Sequence, residues 1–226
     1  MTSHAIEIRD LTFSYEALGF ELTIPHLSIP QGKHVAIVGP SGCGKTTLAY
    51  LISGIHVPSG GNVDIGEHSV TDMTDEARRN FRISHIGFIF QEFELLEYLR
   101  VEENIVLPYL VNASLGLDKA VYERARSLAE SVGIGDKLHR YPGELSQGEK
   151  QRLAICRALI TDPCIIMADE PTGNLDAGNT DAILELIRNQ ARRRDATFVM
   201  ITHEHSLLDR FDHVIDLAKN GGRDTV

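Results

Sequence analysis

Residues 39 to 47 read G-P-S-G-C-G-K-T-T and directly follow an apolar run, His34 to Val38. A buried strand that ends in a glycine-rich turn and then opens a helix is the setting of a phosphate-binding P-loop, because backbone N–H groups and the helix dipole converge on phosphate oxygens. Lys45 would reach the β- and γ-phosphates, and the Thr46 hydroxyl would reach a magnesium ion. The alternative is the same turn without a ligand. We predict that the nucleotide contacts are Gly39, Pro40, Ser41, Gly42, Cys43, Gly44, Lys45, Thr46 and Thr47.

Two acidic residues directly follow a second apolar run, Cys164 to Ala168. In a chain that has a P-loop, such a pair can take part in nucleotide hydrolysis. Asp169 can hold the magnesium shell, and Glu170 can orient or deprotonate the attacking water. Two acids that only cap the following turn are the alternative interpretation. We predict Asp169 as a magnesium ligand and Glu170 as the catalytic base.

A histidine follows a third apolar run, Thr197 to Thr202. Ligands of parallel α/β sheets bind outside the carboxyl ends of the strands. His203 should therefore point toward the same crevice as Lys45 and Glu170. A metal site formed with His205 is a weaker alternative, because the two lack a helix-based H-E-x-x-H arrangement.

Three β-rich runs predict a small antiparallel layer: residues 5–15, 20–30 and 62–65, with turn residues between them. Tyr15 ends the first run. Its ring could stack on adenine, since every base offers a π-face, or it could cover the core as an edge-strand aromatic.

The pattern becomes helical between residues 93 and 144, which predicts an inserted helical subdomain. Residues 1–92 and about 145–226 would then form the nucleotide-binding core of a single domain. Pro108 is expected to interrupt the helix around residues 101–111. The apolar residues 93–99 either pack internally or form a groove for a partner. Ser146 and Glu149 have the spacing of a capping box at the start of the next helix.

Composition limits the location and the partners. The 226 residues carry a formal charge of −10 and three cysteines, and no stretch reaches the roughly 20 apolar residues of a membrane span. The first residues lack a signal peptide's apolar region. We expect a cytoplasmic protein that does not hold nucleic acid directly and that reaches the membrane only through a protein partner.

These motifs stand in an order that resembles the ATP-binding cassette of ABC transporters, from about Ile6 to Leu217. Besides the P-loop as Walker A, the matching segments are Gln91 at the Q-loop, Leu145–Glu149 at the signature, Cys164–Glu170 at Walker B, Asn174–Asp176 at the D-loop and His203 at the switch histidine. Tyr15 matches the adenine-stacking aromatic of the family. The resemblance implies an α/β P-loop NTPase with a RecA-like, mainly parallel sheet core, an antiparallel β layer and the inserted helical subdomain.

In this family two cassettes enclose two ATP molecules, each bound by the P-loop of one subunit and the signature of the other. The resemblance therefore implies ATP and Mg²⁺ as cofactors and a homodimer in the ATP-bound state. It makes Gln91 a further magnesium ligand. It also makes Gln91 and His203 catalytic residues that sense the γ-phosphate. It also adds five nucleotide contacts: Ser146, Gln147, Gly148, Glu149 and Asp176.

The signature reads L-S-Q-G-E in place of the common L-S-G-G-Q. Because Gln147 replaces a glycine, its backbone should have ordinary helical angles. The Ser146 hydroxyl cannot fully cap its own helix and bind phosphate at once. We expect its bond to change partner when the dimer closes.

Residues 168–176 and 90–96 look like the group that contains the LolD and MacB cassettes and the FtsE cell-division ATPase. The resemblance implies an ATPase on the cytoplasmic face of the inner membrane that drives one or more transmembrane permease subunits, for lipoprotein release, macrolide or peptide export. An FtsE-like regulator that moves no substrate is the alternative. A soluble, nucleic-acid-linked ABC ATPase is disfavoured by the acidic balance. A P-loop kinase would leave the signature, D-loop and switch histidine unexplained.

Overall fold

The structure is a computed structural model that describes residues 4–15, 19–112, 114–173 and 177–220. Two compact units make up the chain, residues 1–82 with 196–226 and residues 83–195. In chain order the helices and strands are β1 (His4–Tyr15), β2 (Phe20–Pro30), β3 (His34–Val38), α1 (Lys45–Ile52), β4 (Gly60–Ile65), β5 (His68–Ser69), α2 (Asp75–His85), β6 (Ile86–Ile89), α3 (Val101–Val111), α4 (Lys119–Ser131), α5 (Gln147–Leu159), β7 (Ile165–Asp169), α6 (Ala177–Arg193), β8 (Thr197–Ile201), β9 (His213–Asp216) and α7 (Leu217–Asn220). The predicted α/β class is confirmed.

The first unit contains the antiparallel layer, with strand order β2-β1-β4-β5. On β1, Ile6, Ile8 and Leu11 are fully buried, and the residues between them are more exposed, as expected for a sheet with one face on the core. The strands β1 and β4 pair side by side, and where their register shifts a Cβ on Gly61 would lie 2.2 Å from the Asp10 carbonyl oxygen. Glycine is therefore required there, and the predicted layer is confirmed.

The first unit also contains three parallel strands, in which β3 lies between β8 and β9. Every residue of β3 and β8 is buried, and a continuous apolar run of this kind is typical of parallel strands. The carboxyl ends of β3 and β8 therefore meet at one edge, where Val38 leads into the P-loop and Ile201 leads toward His203.

The second unit pairs β6 with β7 in parallel and adds α3, α4, α5 and α6. Here α5 packs against β6 so closely that a Cβ on Gly87 would lie 2.3 Å from the Ala158 carbonyl oxygen. The boundaries predicted for a helical subdomain at residues 93–144 stay a prediction. Among the described residues, no helix combines the length and the apolar character needed to cross a membrane.

The expected interruption at Pro108 is wrong, because α3 continues through Pro108 to Val111. A proline inside a helix removes one backbone hydrogen bond and costs about 3 kcal/mol. The fully buried residues Val101, Ile105 and Val106 fix the same helix in the core. Their packing outweighs the local preference.

Candidate functional site

The P-loop connects the end of β3 to the first residue of α1 through a turn that depends on glycine. Gly42 and Gly44 have φ angles of 77° and 98°, in the left-handed region that favours glycine. At Gly44 a Cβ would also lie 2.9 Å from Cζ of Phe20 and 3.2 Å from Cδ1 of Leu22. The predicted glycine-rich loop is thus present where a strand meets a helix.

Lys45 begins α1 and is 8% exposed. Its ammonium donates hydrogen bonds to the carbonyl oxygens of Gly39, at 2.9 Å, and Pro40, at 3.0 Å. A buried cation that donates to carbonyl dipoles keeps its charge, so it leaves a positive potential inside the loop. Thr46, which follows it, is exposed and presents a hydroxyl at the start of the helix.

The helix N-terminus itself adds to this potential. The N-cap of α1 is Gly44, which has no side chain to accept a hydrogen bond from the first-turn N–H groups. Such groups are an anion-binding site when no side chain caps them. The loop can therefore bind phosphate oxygens with backbone N–H groups and the Lys45 ammonium.

His203 lies at the same sheet edge as the P-loop. The register pairs Ile37 with Ile201, so Gly39 and His203 each lie two residues beyond this pair. The Thr202 N–H donates to the Ile37 carbonyl at 3.1 Å, and the Thr202 hydroxyl accepts from the Glu204 N–H at 3.0 Å. The His203 side chain is exposed.

Tyr15 ends β1 inside a cluster of rings. Its hydroxyl and Nε2 of His56 lie 2.8 Å apart in a hydrogen bond, and its ring contacts Phe13 edge-on at 4.8 Å between centroids. Burial lowers the pKa of His56. Phe20 lies opposite Tyr15 across the β1–β2 hairpin and reaches Gly44 of the P-loop. The sequence reasoning missed both Phe20 and His56.

Asp169 ends β7 in the second unit, and Glu170 directly follows it. Asp169 is 6% exposed, and Glu170 has a φ angle of 44°, unusual for a residue with a side chain. The Gly173 N–H donates to the Glu170 carbonyl at 3.1 Å and closes a turn. A Cβ on Gly173 would lie 3.8 Å from Nε2 of Gln91 and 3.9 Å from Oε2 of Glu170. The Gln91 and Glu170 side chains thus both reach within 4 Å of one point beside Gly173.

The donor chemistry fits magnesium. Thr46, Asp169 and Gln91 offer a hydroxyl, a carboxylate and an amide oxygen, and hard oxygen donors suit this ion. No group of three or more histidine, cysteine or acidic residues that could hold a metal occurs in the described part of the chain. Magnesium is commonly held by one or two carboxylates together with substrate phosphates and water. The residues therefore fit an ion that arrives with a nucleotide.

Ser146 is the N-cap of α5 and forms a complete capping box with Glu149. The Ser146 N–H and hydroxyl donate to Oε2 of Glu149 at 2.8 and 2.9 Å, and the Glu149 N–H donates back to the hydroxyl at 3.3 Å. These bonds from Ser146 lower the pKa of the Glu149 carboxyl. Gln147 is the first helical residue, and a Cβ on Gly148 would meet no atom within 4 Å.

The remaining predicted site residue, Asp176, lies outside the described residues, as do Asn174 and Leu175. The predicted contacts Ser41 and Cys43 lie in the P-loop, where Ser41 is exposed and Cys43 is partly exposed. The Cys43 sulfur lies 2.8 Å from the place a Cβ on Gly39 would take. Thr47, next in α1, is buried.

Comparisons with known proteins agree with this geometry. The family described as ABC transporter matches residues 22–173. The lipoprotein-releasing system ATP-binding protein LolD of Rickettsia bellii is 40% identical over 192 residues, which cover 85% of this chain and 84% of that protein. An uncharacterized ABC transporter ATP-binding protein of Mycobacterium tuberculosis is 43% identical over 85% of this chain and 76% of its own length.

Two solved structures share the fold over nearly the whole chain. One is a dimeric bacterial ABC transporter cassette, with a TM-score of 0.81, 28% identity and 94% of both chains covered. The other is a dimeric post-hydrolysis state of an ATP-binding cassette bound to ADP and Pi, with a TM-score of 0.82, 26% identity, and 98% of this chain and 99% of that chain covered.

Proposed function

The chain belongs to the ATP-binding cassettes of the ABC transporters and is an ATPase, and we propose that two copies close around two Mg-ATP to drive a separate transmembrane permease. The observation that carries the proposal is the exposed start of α5. Ser146 and Gln147 are exposed, and Gly148 borders open space. A helix N-terminus that faces outward can meet a phosphate that another subunit brings.

In this proposal the P-loop provides most of the affinity for ATP. Lys45 and the N–H groups of the loop bind the phosphate oxygens, and the Thr46 hydroxyl and the Asp169 carboxylate hold the magnesium ion. The ion neutralises charge on the phosphates when it is bound. Tyr15 stacks on the adenine.

Glu170 is the proposed base. Its carboxylate and the Gln91 amide both reach within 4 Å of one point beside Gly173. In this proposal both contact one water molecule there, which Glu170 orients and deprotonates. The left-handed backbone of Glu170 is the type of strain that clusters at functional sites. His203 contacts the γ-phosphate from the carboxyl end of β8.

The biochemical test uses Glu170→Gln, which keeps the shape of the side chain and removes the base. We expect a dimer that is stable in ATP and a turnover number lower by about 10³-fold. Light scattering after size exclusion and phosphate release measure the two effects. Glu67→Gln, an exposed turn residue, should change neither. A Glu170→Gln protein that stays monomeric in ATP, or that hydrolyses it normally, would refute the dimer or the base.

We also propose lipoprotein release as the role, since several relatives carry that name. The cassette would then lie on the cytoplasmic face of the inner membrane, attached through its permease. The Glu170→Gln protein with ATP should retain a permease with a large extracytoplasmic domain from solubilised native membranes. The reconstituted complex should release lipoprotein from vesicles. A complex with stimulated ATPase activity that releases no lipoprotein would favour the alternative role, an FtsE-like regulator that moves no substrate. Recovery of no membrane protein would contradict both roles.

A further inference from the structure

The chain takes an unusual path just after Gln91. Phe93 and Glu94 are consecutive residues with φ angles of 60° and 49°. A left-handed conformation is uncommon for residues with a Cβ and persists where the surrounding structure holds it. The Phe93 N–H donates to the Phe90 carbonyl at 3.3 Å, and the Glu94 N–H donates to the Glu92 carbonyl at 2.6 Å. These local bonds tighten the bend.

A side chain from α5 holds this bend. The guanidinium of Arg157 donates one hydrogen bond to the Phe93 carbonyl and one to the Glu94 carbonyl. Because the guanidinium is a planar fork, it fixes the two carbonyls relative to each other. Burial lowers the pKa of Arg157 to about 10, so the group stays charged at neutral pH. Phe93 itself is 8% exposed and is packed into the core.

The rest of the loop is held by another element. Asn104 of α3 is fully buried, and its side chain bonds the backbone of Leu96, Leu99 and Arg100. An ion pair between Lys150 and Glu97, at 3.8 Å, also connects the loop to α5, but a pair this exposed contributes little. Arg157 is therefore a strong connection between α5 and the part of the loop next to Gln91.

We propose that Arg157 is a positioning residue: by fixing Phe93 and Glu94 it keeps Gln91 beside Glu170 and ties that position to the helix that begins at Ser146. The inference rests on the proposed role of Gln91 at the site. A shift of α5 at its Ser146 end would be transmitted along a rigid helix to Arg157 and so to the Gln91 loop. The residue acts through Gln91 and does not contact the substrate.

The test compares two lysine variants of the full chain. Arg157→Lys keeps the charge, but one ammonium cannot reproduce the planar fork that bonds both carbonyls. Arg152→Lys is the matched control, because Arg152 lies on the same helix and also donates to a backbone carbonyl, that of Val132. Amide hydrogen exchange of residues 91–96 should be about tenfold faster in Arg157→Lys and unchanged in Arg152→Lys.

The same variants separate positioning from a structural role. Arg157→Lys should lower kcat about tenfold, as loss of an outer supporting partner does, with KM for ATP within about twofold. In a Gln91→Ala background the further loss should be less than about twofold, because the two residues act as one unit. If the losses of kcat caused by Arg157→Lys and Gln91→Ala simply multiplied in the double variant, the inference would be overturned. Unchanged exchange in residues 91–96, or faster exchange throughout α5, would overturn it too.

Failure of the proposed function has a different signature. A wild-type protein that hydrolyses no ATP would contradict the proposed function, whatever the variants do. Hydrogen exchange reports on the Arg157 contact without any turnover. If residues 91–96 exchanged faster in Arg157→Lys but not in Arg152→Lys, the positioning of Gln91 by Arg157 would still be supported.

Discussion

Two helix N-termini in this molecule are proposed to meet phosphate, and they are built in opposite ways. The start of α1 follows Gly44, which cannot cap it, and has the buried Lys45 ammonium beside it. The start of α5 follows Ser146, whose side chain caps it, and has the Glu149 carboxylate in the same box. The first N-terminus is left open for an anion, whereas the second is already satisfied by its own residues.

This difference gives the two helix starts different roles: one provides affinity for ATP, and the other makes a phosphate contact depend on a second subunit. A phosphate at the P-loop replaces no side-chain partner of the helix, so the loop can bind ATP in a single subunit. A phosphate at the start of α5 must compete with the Glu149 carboxylate for the Ser146 hydroxyl, which bonds it at 2.9 Å. Binding there is therefore conditional, and it suits a contact that forms only when a second subunit brings its nucleotide.

Among the variants that test this comparison of the two helix starts, Lys45→Ala should have the largest effect. The variant removes the cation of the P-loop and leaves the Gly39 and Pro40 carbonyls without their donor. We expect ATP affinity to fall by about 10²-fold or more, by analogy with the loss of one preorganised charged contact. Isothermal titration of the isolated subunit measures this.

Two controls sharpen the comparison. Lys33→Ala removes an exposed lysine just before β3 and should leave ATP affinity unchanged. Ser146→Ala should also leave binding by the isolated subunit within about twofold, while it impairs dimer formation. A Ser146→Ala protein that binds ATP as weakly as Lys45→Ala would show that the two helix starts do not differ as argued.

The uncapped start of α1 could be predicted from the sequence, because the residue types there determine the backbone geometry. Glycines at 42 and 44 are the residues that adopt left-handed angles, and the buried run before them is typical of a parallel strand. The capping box could be read for the same reason, since Ser146 and Glu149 are three residues apart. The β-rich runs and the turn residues between them are local patterns too, and they predicted the antiparallel layer.

Long-range contacts could not be read in this way. Phe20 reaches Gly44, and Arg157 reaches Phe93 over 64 positions, but neither residue belongs to a local pattern. The helix α2 continues to His85, so β6 begins only at Ile86. Pro108 stays inside α3 because of its neighbours' burial. Each of these depends on what packs against the segment.

A pair of glycine variants gives the second prediction. Gly44→Ala should lower the free energy of unfolding by about 1–2 kcal/mol, because its φ of 98° is left-handed and Phe20 lies 2.9 Å from the new Cβ. Gly148→Ala should raise it by about 0.5–1 kcal/mol, since the site is helical and open. Denaturant unfolding measures both.

Gly148→Ala also tests function at the exposed start of α5. Although Gly148→Ala stabilises the subunit, its methyl group stands on the surface proposed to approach phosphate. We expect several-fold weaker dimer formation in ATP, on the Glu170→Gln background, by light scattering. A Gly148→Ala protein that dimerises as well as its parent would mean that the start of α5 does not contact the nucleotide.

The smallest effect is that of Glu149→Gln. Glutamine preserves the capping box but carries no charge, so it competes less strongly for the Ser146 hydroxyl and does not repel phosphate. We expect the ATP concentration for half-maximal dimer formation to fall by about two- to threefold. Glu144→Gln is the matched control, because Glu144 accepts a similar bond from the Tyr141 N–H at 2.8 Å. It should leave dimer formation unchanged.

The pH dependence of stability checks the same carboxylate. Hydrogen bonds from the Ser146 N–H and hydroxyl lower the pKa of Glu149 in the folded state. Its contribution is therefore fully present above the ordinary carboxyl pKa and is lost as pH falls through the lowered value. Glu149→Gln should remove this acid-range loss, seen as a flatter plot of unfolding free energy against pH below about 4.5. If the variant kept the wild-type slope there and its dimerisation did not change, the carboxylate would not be what holds the second helix start closed to phosphate.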